Sequence, residues 1–495
     1  MDFTATDLLL TCVFCAFFYL LWPRKSSKHL PPGPYPLPII GNLLQLGQNP
    51  HHSLTKLSKI YGPLMHLKLG SVHTIVVSSP EIAKQILQKH DQAFPGRKAR
   101  AVTRALDHHE TSVACLPVGT KWRSLRKICR EQMFSTQRLD ASRGLRQEKL
   151  QKLRDYVQEC CVNNRVIDIG EAAFVTSLNL ISNTLFSLDF ADYNTDSSQE
   201  LKEIVHRLMK VLGSPNVADY FSIFGSFDPQ GVKREAEICF GKLLNKFDGI
   251  IDSRIQQSVK NSTRKNDLLE ALLEISEGNQ SELSRNDIKH LLLDLFVAGT
   301  ETTSGTVEWI MTELLRNPSV MLKAKYELKS VIGENEQVEE SDISKLPYLQ
   351  AVVKESFRYH PPGSFIARNK GEDELEINNF VIPKHAGVII NIWAIGRDPS
   401  VWSNPDSFDP DRFLNGEIDI KGHNFELVPF GSGRRICPAL PLAHRMVHLM
   451  VASLIHNFDW KLENGMAPEE VDINEKFGLS LQKAIPLKAV PFTQL

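Results

Sequence analysis

Apolar and polar positions divide the chain into a long helical stretch flanked by shorter β-patterned ones. Between about residues 80 and 347 apolar residues recur at helical spacing, in amphipathic runs broken by turn residues at Pro117-Val-Gly119, Pro215-Asn216 and Asp228-Pro-Gln-Gly231. A series of helices is expected there. Before it, residues 64–78 alternate and predict a β-hairpin turning at Gly70-Ser71; after Leu375, Phe380-Val-Ile-Pro383 and Val388-Ile-Ile-Asn-Ile392 predict further strands. No internal repeat or low-complexity tract interrupts this order. The expected fold class is mainly α with a small β subdomain.

One helical run differs from the rest. Residues 291–303 are apolar on nearly every face, which implies burial. Ser284-x-x-Asp287 supplies a capping signal before the run and Asn317-Pro318 ends it, so a single helix of about thirty residues is predicted. Gly299 costs about 1 kcal/mol in a helix interior, and Thr300, Thr302 and Thr303 are poor helix formers. A local conflict of this kind marks a functional site. Ala298 and Thr302, four apart, share a face. Gly299 either admits another body to the backbone or packs against a neighbouring helix.

At the other end, residues 8–23 carry no charge, with Asp2 and Asp7 before them and Arg24, Lys25 and Lys28 after. The basic cluster follows the apolar run, no small-residue cleavage site precedes it, and Tyr19 and Trp22 sit at an interfacial level, which favours an uncleaved anchor over a secretory signal. Residues 1–23 are read as a membrane anchor, 24–38 as a basic, proline-rich and stiff hinge ending in Leu30-Pro-Pro-Gly-Pro-Tyr-Pro-Leu-Pro38, and 39–495 as one catalytic domain. The positive-inside rule leaves that domain in the cytosol. The eight cysteines have neither disulfide nor metal-ligand spacing, and the sequons at Asn261 and Asn279 would go unused. A formal net charge of -1 gives no global argument for nucleic acid.

The chemistry concentrates in Pro429-Phe-Gly-Ser-Gly-Arg-Arg-Ile-Cys-Pro-Ala439. Phe430, Gly431 and Gly433 predict a compact turn able to approach a flat cofactor, since glycine accepts φ > 0. Apolar spacing beyond Leu440 predicts a helix, with Pro438 in its first turn and Cys437 at its start, where backbone N–H groups lower a thiol pKa. Two plainer readings compete: a dinucleotide fingerprint, which lacks its third glycine and its leading strand, and an inert buried cysteine, which would win for Cys437 taken alone. Elsewhere, Glu355 and Arg358 lie three apart on a helix, and Arg412 could make them a buried network.

Together these segments resemble the cytochrome P450 family. Phe430-x-x-Gly433-x-Arg435-x-Cys437 resembles its haem-binding signature, Ala298-Gly-Thr-Glu-Thr-Thr303 its oxygen-activating helix, Glu355-x-x-Arg358 with Arg412 its structural network, and Trp122-x-x-x-Arg126 its haem-propionate contact. The Pro31-Pro-Gly-Pro34 hinge matches as well. Wording along the whole chain, such as Ala394-Ile-Gly-Arg-Asp398, is most similar to plant microsomal enzymes of the geraniol 8-hydroxylase and abietane diterpenoid hydroxylase type.

The resemblance implies a triangular helical prism around haem b behind an N-terminal transmembrane anchor in the endoplasmic reticulum membrane. Cys437 would be the proximal thiolate, Phe430, Gly431 and Ala298 would border the haem, and Trp122, Arg126, Arg368 and Arg435 would meet its propionates. Thr302 and Glu301 would relay protons across a notch at Ala298 and Gly299. Electrons from NADPH would arrive through a flavoprotein reductase docked on a basic face drawn from Lys121, Arg123, Lys127, Arg130, Arg434 and Arg445. A mostly apolar pocket is expected from Leu106, Val113, Phe221, Leu295, Phe296, Phe365, Ile366 and Leu479, which suits a hydrophobic monoterpenol or diterpenoid. The alternatives are a monooxygenase of phenolic or alkaloid substrates, and a haem-thiolate isomerase or dehydratase that uses no dioxygen. Departures from the family pattern are Ala439 for the usual glycine, Ser364 and Ala367 for prolines, and Pro95.

Overall fold

The computed structural model describes residues 29–194, 199–221, 227–260, 265–278, 283–334 and 336–493, with Thr11 ahead of them. The expected anchor and both sequons lie outside this set. Among the described residues no helix is long and apolar enough to cross a membrane.

Among the described residues eleven α-helices of ten residues or more carry the body: α1 (Pro50–Tyr61), α2 (Thr120–Gln132), α3 (Arg143–Val162), α4 (Ile169–Phe186), α5 (Gln199–Gly213), α6 (Val232–Lys260), α7 (Leu268–Glu277), α8 (Arg285–Arg316), α9 (Pro318–Ile332), α10 (Pro347–Tyr359) and α11 (Leu440–Asn457). Helix α8 is the axis. Ser284 caps it through a reciprocal capping box with Asp287, and Asn317 closes it before Pro318. It is buried along most of its 32 residues, packing on α4, α6, α10 and α11. An all-round apolar helix has no other stable place in a folded domain.

The β part stands to one side. Strands β1 (Leu64–Leu69), β2 (Val72–Val77) and, later in the chain, β4 (Phe365–Asn369) and β7 (Gly387–Asn391) form a sheet in the order β1-β2-β7-β4. The pair β2–β7 is parallel and the other two are antiparallel. Its first hairpin turns at Gly70, whose φ of 58° requires glycine. Short β3 (Ile167–Asp168) joins β11 (Lys488–Phe492) and β8 (Asp459–Leu462), β5 (Leu375–Ile377) pairs with β6 (Phe380–Ile382), and β9 (Glu475–Lys476) pairs with β10 (Gln482–Lys483).

Two local expectations change. Strand β4 begins ten residues before the stretch where alternation predicted strands to return, because Pro361 and Pro362 mask its short pattern. Helix α11 has Ala439 at its N-cap and Pro441 in its first turn, so Pro438 precedes the helix.

Candidate functional site

The loop before α11 brings Cys437 back on itself. Its N–H donates to the Phe430 carbonyl at 2.9 Å, while Phe430 meets Phe357 of α10 edge-on with ring centroids 5.3 Å apart. Gly431 and Gly433 both hold positive φ, 73° and 69°. A Cβ on Gly433 would stand 2.3 Å from the Leu87 carbonyl oxygen, so that position has no room for a side chain. Burial pushes the Cys437 thiol pKa up; the Ala439 and Leu440 amides at the start of α11, with Arg126 and Arg97, act the other way.

Four guanidiniums surround this loop. Arg126 of α2 donates to the Ile436 carbonyl at 2.7 Å, Arg435 to the carbonyls of Pro95 (3.0 Å) and Leu116, Arg368 of β4 to the Ala367 carbonyl at 2.9 Å, and Arg97 to the Ala114 carbonyl at 2.9 Å. Desolvation, and after it the charge of Arg97, pulls Arg368 down to about 9 and Arg435 to about 10. Among the described residues none of the four pairs with a carboxylate. Trp122 lies beneath two of them, its ring 4.9 Å from the Arg435 guanidinium carbon and 5.7 Å from that of Arg126. Its indole N–H goes to the Val113 carbonyl at 3.1 Å.

This arrangement suits a haem. Guanidiniums that repel one another and find only carbonyls, with Arg368 buried, Arg126 and Arg435 half-buried and Arg97 exposed, call for anionic groups, as two propionates would be, and guanidinium forks match carboxylates. A half-buried thiol among arginines at a helix start is the donor that a soft metal centre takes, and the metal itself would remove the proton. Arg97 is absent from the sequence-based set because nothing in its local pattern separates it from a surface arginine. The segment 101–110 that follows it is kinked by Leu106 and Asp107, both left-handed at φ 49° and 55°.

On α8, Ala298 is exposed between buried Val297 and Thr300 and so faces open space inside the fold. Thr302, one turn on, donates its hydroxyl to the Ala298 carbonyl at 2.7 Å. Gly299 points elsewhere. A Cβ there would lie 2.8 Å from Ile181 Cδ1, so the glycine lets α4 approach α8 and makes no part of a notch. Glu301 turns toward the β9–β10 hairpin: its Oε1 accepts from Ser480 Oγ at 2.9 Å and from Gln482 Nε2. Burial lifts its pKa to about 8, so it holds a proton at neutral pH.

The Glu355 network is buried at its centre, where Glu355 and Arg358 are fully enclosed. Arg358 forks onto Glu355 with both bonds at 2.7 Å, and Arg412 Nε and the Asp409 N–H reach Glu355 Oε1 at 3.2 and 2.7 Å. The remaining Arg358 donors satisfy the carbonyls of Gly396, Pro405 and Ser407.

The expected pocket set divides. Leu106 and Leu479 are exposed, 44% and 50%, Leu295 lies near the Ala298 face of α8, and Ile366 shares the strand face of Arg368. Val113 packs on the core, next to the segment 101–110. Phe296 leaves the set: fully buried, it packs tilted on Phe190 and edge-on to Phe247, on the side of α8 opposite Ala298. Phe365 leaves it as well, packing with Phe477 and the cluster under β1 and β2, on the other strand face. Phe221 rests against Gly70 at the β1–β2 turn. Of the basic candidates, Arg123, Lys127 and Arg130 are exposed on α2, Arg130 beside Glu131 at 3.3 Å, whereas Lys121, Arg434 and Arg445 pair with Asp287, Asp91 and Glu340.

Comparison with known proteins gives one answer. The family profile described as Cytochrome P450 matches residues 31–487. The chain is 54% identical over 493 residues to Cytochrome P450 76T24 of Catharanthus roseus, covering 98% of this chain and 99% of that one. It is 52% identical over 488 residues to a ferruginol synthase of Isodon rubescens, with the same coverage, and 48% identical over 495 residues to Cytochrome P450 76AD1 of Beta vulgaris, covering 99% of each.

Proposed function

Given that the chain belongs to the cytochrome P450 family, we propose that it hydroxylates a hydrophobic plant terpenoid, a diterpenoid of the abietane type in the first place. It is a haem b monooxygenase whose electrons come from NADPH through a reductase. The bound haem supplies the activation of dioxygen; the protein's own residues set where, and with which protons. Cys437 would hold the iron, with the Ala439 and Leu440 amides steadying the sulfur. Arg97, Arg126, Arg368 and Arg435 would neutralise the propionates over the Trp122 ring. Thr302, its own proton committed to Ala298, presents lone pairs to the site, and Glu301 stores a proton one residue away.

The observation that carries the reading is the half-buried Cys437 thiol among four guanidiniums without carboxylate partners among the described residues. The substrate class rests on the ferruginol synthase relatives, near 50% identity over nearly the whole chain, and on apolar Leu106, Leu295, Ile366 and Leu479. Reconstitution with a plant reductase and NADPH tests it: an oxygenated product is expected from an abietane-type hydrocarbon or a related terpenoid, and no product across such a panel would defeat the substrate class.

The same reading places residues 1–23 as an anchor in the endoplasmic reticulum membrane, 24–38 as the hinge and 39–495 as a cytosolic catalytic domain. Its support is the uncharged run 8–23 with basic residues behind it. The reductase would dock on α2, where Arg123, Lys127 and Arg130 face solvent on the helix that carries Trp122 and Arg126 inward.

A further inference from the structure

Far from Cys437, three ligand-type side chains converge from opposite ends of the sequence. His51 and His52 of α1 both aim Nε2 at one carboxylate oxygen, Glu475 Oε2 of β9, at 2.8 and 3.2 Å. The three ligand atoms lie within 4.8 Å of one another. We propose that His51, His52 and Glu475 form a binding site for a zinc-type divalent cation.

The spacing is near what such an ion needs. Tetrahedral zinc with bonds of about 2.0–2.2 Å sets its ligand atoms roughly 3.3 Å apart, against 2.8 and 3.2 Å from the two imidazoles to the carboxylate oxygen here. Two imidazoles and a carboxylate with one position left to water is a set that zinc accepts. His52, whose side chain is 40% exposed, provides the entry, while His51 and Glu475 are buried.

Metal binding requires the His51 ring proton on Nδ1 rather than Nε2, and Nδ1 has no hydrogen-bond partner among the described residues.

Around the three ligands lies a supporting layer. Trp393 donates its indole N–H to Glu475 Oε1 at 3.1 Å, and His360 Nδ1 stands 3.7 Å from the same oxygen; such outer contacts orient a ligating carboxylate. Arg397 stands 4.0 Å from Oε1, sandwiched over the rings of Trp393 and Tyr359, and His360 Nε2 is bound to Glu313 at 2.7 Å.

The location gives the ion a consequence. Strand β9 pairs with β10, and the turn between them carries Leu479 and Ser480, the partner of Glu301. A cation at His51, His52 and Glu475 would clamp α1 to the base of that hairpin.

The test uses the full-length holoenzyme without a polyhistidine tag, stripped with a chelator and equilibrated by dialysis against zinc. One zinc per haem is expected; His52→Ala should weaken binding by about tenfold or more with the haem spectrum unchanged, and His423→Ala, an exposed histidine elsewhere, should bind like the wild type. No stoichiometric zinc in the wild type, or equal affinity in His52→Ala, overturns the proposal.

Discussion

The Ser480 hydroxyl donates to Glu301 Oε1 at 2.9 Å, beside a second bond from Gln482 to the same atom, while Glu301 Oε2 is buried with no partner among the described residues. Oε1 therefore acts as the carbonyl and Oε2 carries the proton. With a pKa raised to about 8, chiefly by desolvation, the group is neutral below that pH and ionised above it. Stability is full below the ordinary carboxylate pKa and declines as pH rises toward 8. Product formed per NADPH should fall as pH rises through about 8, and Glu301→Gln should remove that limb. Ser480→Ala, which takes a donor from the carboxylate, should shift the midpoint upward. Coupling ratios measured across pH check both.

Gly433, Gly431 and Ala439 should respond differently to one carbon. Gly433→Ala places a Cβ 2.3 Å from the Leu87 carbonyl oxygen at φ 69°, whereas in Gly431→Ala the nearest atom is Ile366 Cδ1 at 4.0 Å, leaving only the strain of φ 73°. That strain costs about 1–2 kcal/mol. Ala439 sits at φ -87°, which needs no glycine. Haem retention on heating should fall severely, modestly and not at all for Gly433→Ala, Gly431→Ala and Ala439→Gly.

Removing Glu355 leaves Arg358 buried with an unpaired charge. The expected loss is about 3–5 kcal/mol of stability, read as a lower denaturation midpoint and poor haem incorporation in Glu355→Ala. Arg412→Ala should cost less, since Arg412 reaches Glu355 through one bond of 3.2 Å, against the two 2.7 Å bonds from Arg358.

Neutralising Arg123, Lys127 and Arg130 together should slow reduction by the flavoprotein and flatten its dependence on ionic strength, with substrate affinity unchanged. Stopped-flow reduction at several salt concentrations measures this.

Local signals in the sequence carried the axis of the fold. The capping box at Ser284, the stop at Pro318, the hairpin at Gly70 and the turn at 430–433 each depend on neighbours a few residues apart. The Glu355, Arg358 and Arg412 contact was legible as a possibility from the three-residue spacing of Glu355 and Arg358 on one helix face. Residues whose role depends on what arrives from elsewhere were not legible. Gly299 serves Ile181 of α4; Phe296 and Phe365 point away from the site because side-chain direction follows helix phase and strand parity in the folded frame. Arg97 joins the guanidiniums only through the course of the chain from Phe94 to Ala101, and Glu475 meets His51 across 424 residues.

The central claim is that Cys437 is the iron ligand of a haem-thiolate monooxygenase. The carbon monoxide difference spectrum of the reduced holoenzyme tests it most directly, compared between wild type and Cys437→Ser. The wild type should show the strongly red-shifted Soret band of thiolate ligation and the variant should lose it; a band that survives the substitution, or never appears in the haem-loaded wild type, would contradict the assignment.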